Sequence, residues 1–246
     1  MQAQHLDMML YQVDGELRLA GFEFGRFEPV FGARVFQGST KINSNFPGGA
    51  WLNSPGWTAI PTAQLDRLPT GAGPLPAEAS VSFDILPSVI TGVNLSFWDG
   101  AEPISFAPPP AGEVAIYGDE LFGLDTVDDP SDSVIDGSTL PIDGLEFATT
   151  TGTGYLHVHV PFSIFGNSAR QFTSVDSPTP GVYLLQIAGK VEGLVGKPSA
   201  NVLLGVDVDQ STLEIASQWV SAQIIPEPPT LALAVVFLTW YATCRR

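Results

Sequence analysis

The chain has 246 residues, 44% of them apolar, and a formal charge of −16 from 26 acids against 10 bases. That is enough apolar material for one large β domain or two small ones, and so acidic a surface repels phosphate backbones and anionic headgroups, so no nucleic-acid partner is expected. The one cysteine, Cys244, stands near the C-terminus, which leaves the preceding chain without a disulfide, a thiolate metal site or a cysteine nucleophile.

The opening stretch, MQAQHLDMMLYQVDGELRLAG, has neither a basic start nor a continuous apolar run, so it does not read as a signal peptide. The leader that export requires is expected to be missing from this chain. Residues 8–13 and 16–22 read as strands around Asp14-Gly15, a strong two-residue hairpin signal. Further short, β-branched or aromatic runs at 81–86, 93–98, 113–117, 155–160, 182–188 and 201–208 are bounded by turn residues. Long loops rich in Pro and Gly are expected at 41–77 and 99–112. Trp51 and Trp57, and Trp98 at the start of the second loop, have the chemistry to stack on sugar rings, although Trp98, in SFWDG, also suits a core plug. Eight to ten strands in one body, residues 1–223, predict an all-β fold: an antiparallel β-sandwich, jelly-roll-like.

Two groups of residues carry possible chemistry. In YLHVHV (155–160) strand alternation puts Tyr155, His157 and His159 on one face and Leu156, Val158 and Val160 on the other, toward the core. Imidazoles two residues apart converge on a single ion. His5 and Asp7 can add a third and a fourth ligand if the first strand pairs nearby; three histidines with an open position suit zinc or copper, whereas a solvated or hydrogen-bonded histidine pair is the plainer expectation. The second group is acidic. Between Asp119 and Glu146 lie nine carboxylates and no Lys or Arg, among them Asp125, Asp128, Asp129 and Asp132. Calcium takes oxygen ligands from such loops, but no EF-hand spacing fits, and a solvated acidic loop is the plainer expectation. Asp207 and Asp209 read as a further pair on one strand face. No GxSxG, HExxH, P-loop or Rossmann glycine set occurs, so no enzyme activity is expected.

Near the end, STLEIASQWVSAQ (211–223) reads as an amphipathic helix, with Ser211 and Glu214 as a capping box and Leu213, Ala216, Trp219 and Val220 at helical spacing. An edge strand at EIASQWV is the alternative. Residues 224–246 form a separate tail. Within it, Pro229 to Cys244 are uncharged; as a helix they would span about 24 Å against about 30 Å of bilayer hydrocarbon. Arg245 and Arg246 favour the cytoplasmic side for that end, which puts the body on the far side.

Pro226, Glu227 and Pro228, the apolar run from Leu231 to Tyr241, and Arg245–Arg246 together resemble the PEP-CTERM sorting signal. The resemblance covers about the last 22 residues; Pro229 departs from it, since a small residue is commoner there. It implies an exosortase, a membrane protease-transpeptidase, as processing partner. It also implies a brief stay in the inner membrane, then release to the cell surface or the exopolysaccharide matrix. Short pieces of the body resemble an uncharacterised group of bacterial surface proteins with the same tail, mostly planctomycete. They are His5-x-Asp7 with Asp14-Gly15, ARVF (33–36), PGW (55–57), FWDG (97–100), Ala111–Glu113, TGTGYLHVHV (151–160) and GVYLL (181–185). This second resemblance implies an all-β surface protein and names no reaction. The resulting expectation is an exported structural or binding module, with calcium or polysaccharide as candidate ligands. The alternatives are a metalloprotein using His5, His157 and His159, and a permanently anchored single-pass membrane protein.

Overall fold

The structure, a computed structural model, describes residues 6–42, 49–52, 54–60, 62–117, 134–166 and 177–224. His5, Asp125, Asp128, Asp129 and Asp132, and the whole sorting tail with Pro226, Glu227, Pro228, Arg245 and Arg246, lie outside these residues, as does the expected tail helix.

The strands in chain order are β1 (Leu6–Val13), β2 (Glu16–Glu23), β3 (Glu28–Val30), β4 (Val35–Thr40), β5 (Gly49–Leu52) and β6 (Trp57–Ala59). A short 3-10 turn (Thr62–Arg67) precedes β7 (Ala72–Gly73), β8 (Ser80–Leu86), β9 (Ser96–Trp98), β10 (Val114–Tyr117) and β11 (Val134–Ile135). The remainder are β12 (Ile142–Thr149), β13 (Leu156–Val158), β14 (Phe162–Phe165), β15 (Gly181–Val191), β16 (Ser199–Val206) and helix α1 (Gln210–Gln223). They form three sheets: β13-β6-β1-β2-β3 with β7 beside β1, β11-β10-β14-β5, and β12-β8-β15-β16-β4 with β9 beside β15.

The β-sandwich follows from alternation. Met8 and Leu10 of β1, Leu17 and Leu19 of β2, Phe83 and Ile85 of β8, and Tyr183, Leu185 and Ile187 of β15 meet in one core cluster, which Ala115, Phe162 and Ile164 of the four-stranded sheet join. Apolar faces of all three sheets thereby leave water together, the main drive for the fold. Trp57 sits in this core, 5.6 Å from Phe83 and nearly parallel to it. Asp14 and Gly15, with φ of 52° and 79°, turn β1 into β2 as the Asp-Gly signal requires.

Two pairings depart from the antiparallel expectation. β6 runs parallel to β1, and β4 runs parallel to β16. The segment 41–77, expected as one long loop, holds β5, β6, the 3-10 turn and β7. Short strands of two to four residues give little periodic signal of their own.

Helix α1 covers the outer face of the third sheet, where Leu213, Ala216 and Val220 pack on Val182, Leu184, Leu203, Trp98 and Phe106. Trp98 is a buried plug whose Nε1–H donates to the carbonyl of Ala101. Asp209, not Ser211, caps the helix by accepting from the Thr212 N–H at 2.7 Å, a bond that holds its carboxyl below the usual range. The expected Asp207/Asp209 strand pair is therefore absent. β16 ends at Val206, and Asp207 has a positive φ and faces Lys41 at 3.7 Å. Among the described residues no helix is long and apolar enough to cross a membrane.

Candidate metal centre

Three neighbouring strands of the first sheet build one polar cluster on its outer face. β13 pairs with β6, setting His157 opposite Thr58 and Val158 opposite Trp57. β6 pairs with β1, setting Trp57 opposite Met8. Counting one residue back along β6 and β1, and one forward from β13, Gly56 lies between His159 and Asp7. The expected facing of β13 holds: Leu156 is buried and Val158 packs on the main core, while His157 and His159 turn outward.

Gly56 makes the approach possible. A Cβ at this position would lie 2.8 Å from His159 Cε1 and Nδ1 and 2.9 Å from Asp7 Oδ2, closer than real Cβ atoms come. The missing side chain leaves room for the histidines of the edge strand to lean over β6 and reach a residue two strands away. The same glycine orients the carboxylate, since its N–H donates to Asp7 Oδ1 at 2.9 Å. Its carbonyl accepts from the Met8 N–H, also at 2.9 Å, and so locks β6 to β1.

With Oδ1 held by Gly56, Oδ2 turns to the imidazoles. It lies 3.6 Å from His157 Nε2 and 3.7 Å from His159 Nε2. The two Nε2 atoms are 3.2 Å apart. Phe24 stacks on the His157 ring with centroids 4.6 Å apart and planes 28° from parallel, which fixes the ring's orientation. Asp7 is fully buried, whereas the histidine side chains are 34% and 33% exposed. An ionised carboxylate out of water demands a positive partner.

The triangle has the dimensions of a metal site. A tetrahedral zinc ion with ligands at about 2.0–2.1 Å holds them about 3.4 Å from one another. The observed edges are 3.2, 3.6 and 3.7 Å, and the point about 2.0 Å from all three atoms lies in their plane, so tetrahedral seating requires the donors to close by a few tenths of an ångström. Two imidazoles with one carboxylate suit zinc or copper. They suit calcium poorly, because it prefers an all-oxygen shell of six or more donors.

Of the residues singled out from sequence, His157 and His159 are brought together and Asp7 joins them as a primary ligand candidate. Gly56 was missed, and its signal was the Pro-Gly-Trp triplet, which reads as an ordinary turn. The Trp candidates for sugar stacking divide. Trp57 and Trp98 are buried, and Trp51 on β5 is 40% exposed.

No family model matches the chain, and no curated protein matches it. Among solved structures it is similar to the CooA pilin subunit of enterotoxigenic Escherichia coli, at 7% identity and a TM-score of 0.28 over 70% of this chain and 90% of that one. A likeness that loose carries no argument about function.

Proposed function

We propose that the protein is an exported β-sandwich protein that binds one zinc or copper ion between Asp7, His157 and His159. The observation that carries the metal reading is the fully buried Asp7 carboxylate facing two imidazole nitrogens at 3.6 and 3.7 Å, with those nitrogens 3.2 Å from each other. The same three atoms sharing a proton in place of a metal is the competing reading. Equilibrium dialysis of metal-stripped protein against zinc and copper separates the two. One tightly held equivalent, lost in His157→Ala/His159→Ala, supports the site; no uptake by the parent contradicts it. His5→Ala, measured alongside, reads whether His5 belongs to the ligand set.

Export to the cell surface or matrix rests on the tail alone: Pro226-Glu227-Pro228, the apolar run and Arg245–Arg246. It carries with it exosortase processing, with exopolysaccharide as a candidate partner. The intact mass of the protein recovered from its own cells tests it. A chain ending near Pro226–Pro228 supports sorting, whereas a mass that still includes Arg246 favours the permanently anchored reading. A binding module with no metal is the remaining alternative, and it gains ground if neither zinc nor copper is taken up.

A further inference from the structure

The consecutive strands β12, β13 and β14 belong to three different sheets: the third, the first and the second. β13 is therefore where the chain passes between all of them, and its pairing is short. It stands at the edge of the first sheet and pairs with β6 over three residues, against eight for β1 with β2 and eight for β15 with β16. Of its side chains, Leu156 is buried and Val158 partly buried, while His157 faces outward. Thr58 Oγ1 adds one bond by donating to the Leu156 carbonyl at 3.1 Å. Short pairing and little buried apolar surface mark an element that opens on its own, well below the free energy of global unfolding. The candidate donors reach past this weak pairing. His157 lies on β13 and His159 just beyond it, whereas Asp7 lies on β1, in the interior of the same sheet. Whichever further donors complete the shell, an ion held by these three ties the edge of the sheet to its interior across β6.

We infer, on the basis of the metal reading above, that the ion is a clasp: its occupancy controls the local opening of β13, and with it the corner at which the chain passes between the three sheets. β13 cannot leave β6 while both of its imidazoles stay within about 2.1 Å of an ion that Asp7 also binds. The ion therefore binds the closed form alone. Free metal at a hundred times its Kd then disfavours opening by about 100-fold. Loss of the ion removes positive charge from beside a fully buried carboxylate, which favours opening further. Metal-rich and metal-poor surroundings thus differ in whether the edge of the first sheet is shut, while the long β15–β16 pairing keeps the rest of the body folded.

The test is amide hydrogen exchange of the full chain, read by mass spectrometry of its peptides, with and without zinc, or copper where only copper binds. In the metal-stripped protein, residues 155–160 should exchange about tenfold or more faster than residues 182–188 and 201–206 of β15 and β16. Metal at a hundred times its Kd should slow residues 155–160 by about 100-fold. In His157→Ala/His159→Ala, shown to be folded by circular dichroism, the same metal should leave their exchange unchanged. Metal that binds the parent without slowing residues 155–160 overturns the clasp and leaves the metal reading standing. So does a metal-stripped parent in which these residues exchange no faster than β15 and β16, because their opening is then global. A parent that takes up neither zinc nor copper overturns the metal reading and the clasp with it.

Discussion

Two buried carboxylates, one on each main sheet, face the same physical problem with different partners. Asp7 on β1 is fully buried and meets two imidazoles at 3.6 and 3.7 Å. Asp84 on β8 has a side chain 2% exposed and meets two lysines: Lys190, with which it is in direct contact, and Lys197 at 3.1 Å. Both acids alternate with core residues and so point to the outer face of their sheet: Asp7 precedes Met8, and Asp84 lies between Phe83 and Ile85. Lysine carries its charge throughout the physiological range, so the Asp84 triad is complete as it stands. Imidazole is neutral or charged according to its surroundings and coordinates metals in its neutral form. The difference teaches that a buried acid between two lysines fixes a fold, whereas one between two histidines remains able to bind.

The comparison can be broken from either side. The largest expected effect is on metal affinity. Asp7→Asn should weaken zinc binding by more than about 100-fold, because the amide cannot supply the anionic ligand. Calorimetric titration of metal-stripped protein checks it. In the metal-free protein the same change removes a buried charge, and urea unfolding should find the stability within about 1 kcal/mol of the parent, or higher. Asp84→Asn should behave in the opposite way. Zinc binding stays as in the parent, while stability falls by about 2 kcal/mol. That is less than for a fully enclosed pair, since the lysines reach water.

Gly56→Ala sharpens the contrast, because it strikes the histidine site without altering any donor. The new methyl group has to displace His159 or Asp7. The expected outcome is loss of zinc uptake with an overpacking cost of about 1–3 kcal/mol, read by titration and by urea unfolding of the metal-free protein. Phe24→Ala should act more mildly. The His157 ring loses its stacking partner, and zinc affinity falls by about tenfold while uptake remains one equivalent.

The smallest effect is alkaline. A hydrogen bond from Lys197 to Asp84, aided by their opposite charges, holds the Lys197 ammonium above its usual 10.5. A group whose value is raised in the folded state contributes stability below its unfolded value and loses it as pH rises through the folded one. The contribution should therefore persist at neutral pH and fade only above 10.5. Urea unfolding across that range should show a slightly steeper alkaline loss in the parent than in Lys197→Met.

Much of the architecture is legible in the chain. Alternation in YLHVHV gives the inward and outward faces of β13, Asp14-Gly15 gives the first hairpin, and the 3.6-residue spacing of Leu213, Ala216 and Val220 gives α1 and its buried face. The capping residue was harder to read. Ser211-x-x-Glu214 has the pattern of a capping box, but Asp209 caps two residues earlier because β16 ends at Val206 and the chain turns at Asp207. The histidine pair was legible as a pair. Its union with Asp7 was conditional, since it depends on a parallel pairing of β1 with β6 across about fifty residues and on β13 joining β6 across about a hundred. Periodicity within a strand is silent on which strand lies beside it. Gly56 was illegible for the same reason: its role exists only once strands distant in sequence are neighbours.

The central claim is that Asp7, His157 and His159 form a metal site. The most direct test is a zinc titration of the metal-stripped full chain, followed by calorimetry, beside the His157→Ala/His159→Ala variant. The account predicts one equivalent bound by the parent and none by the variant, with both folded by circular dichroism. A parent that takes up no zinc or copper, or a variant that binds as the parent does, would contradict it.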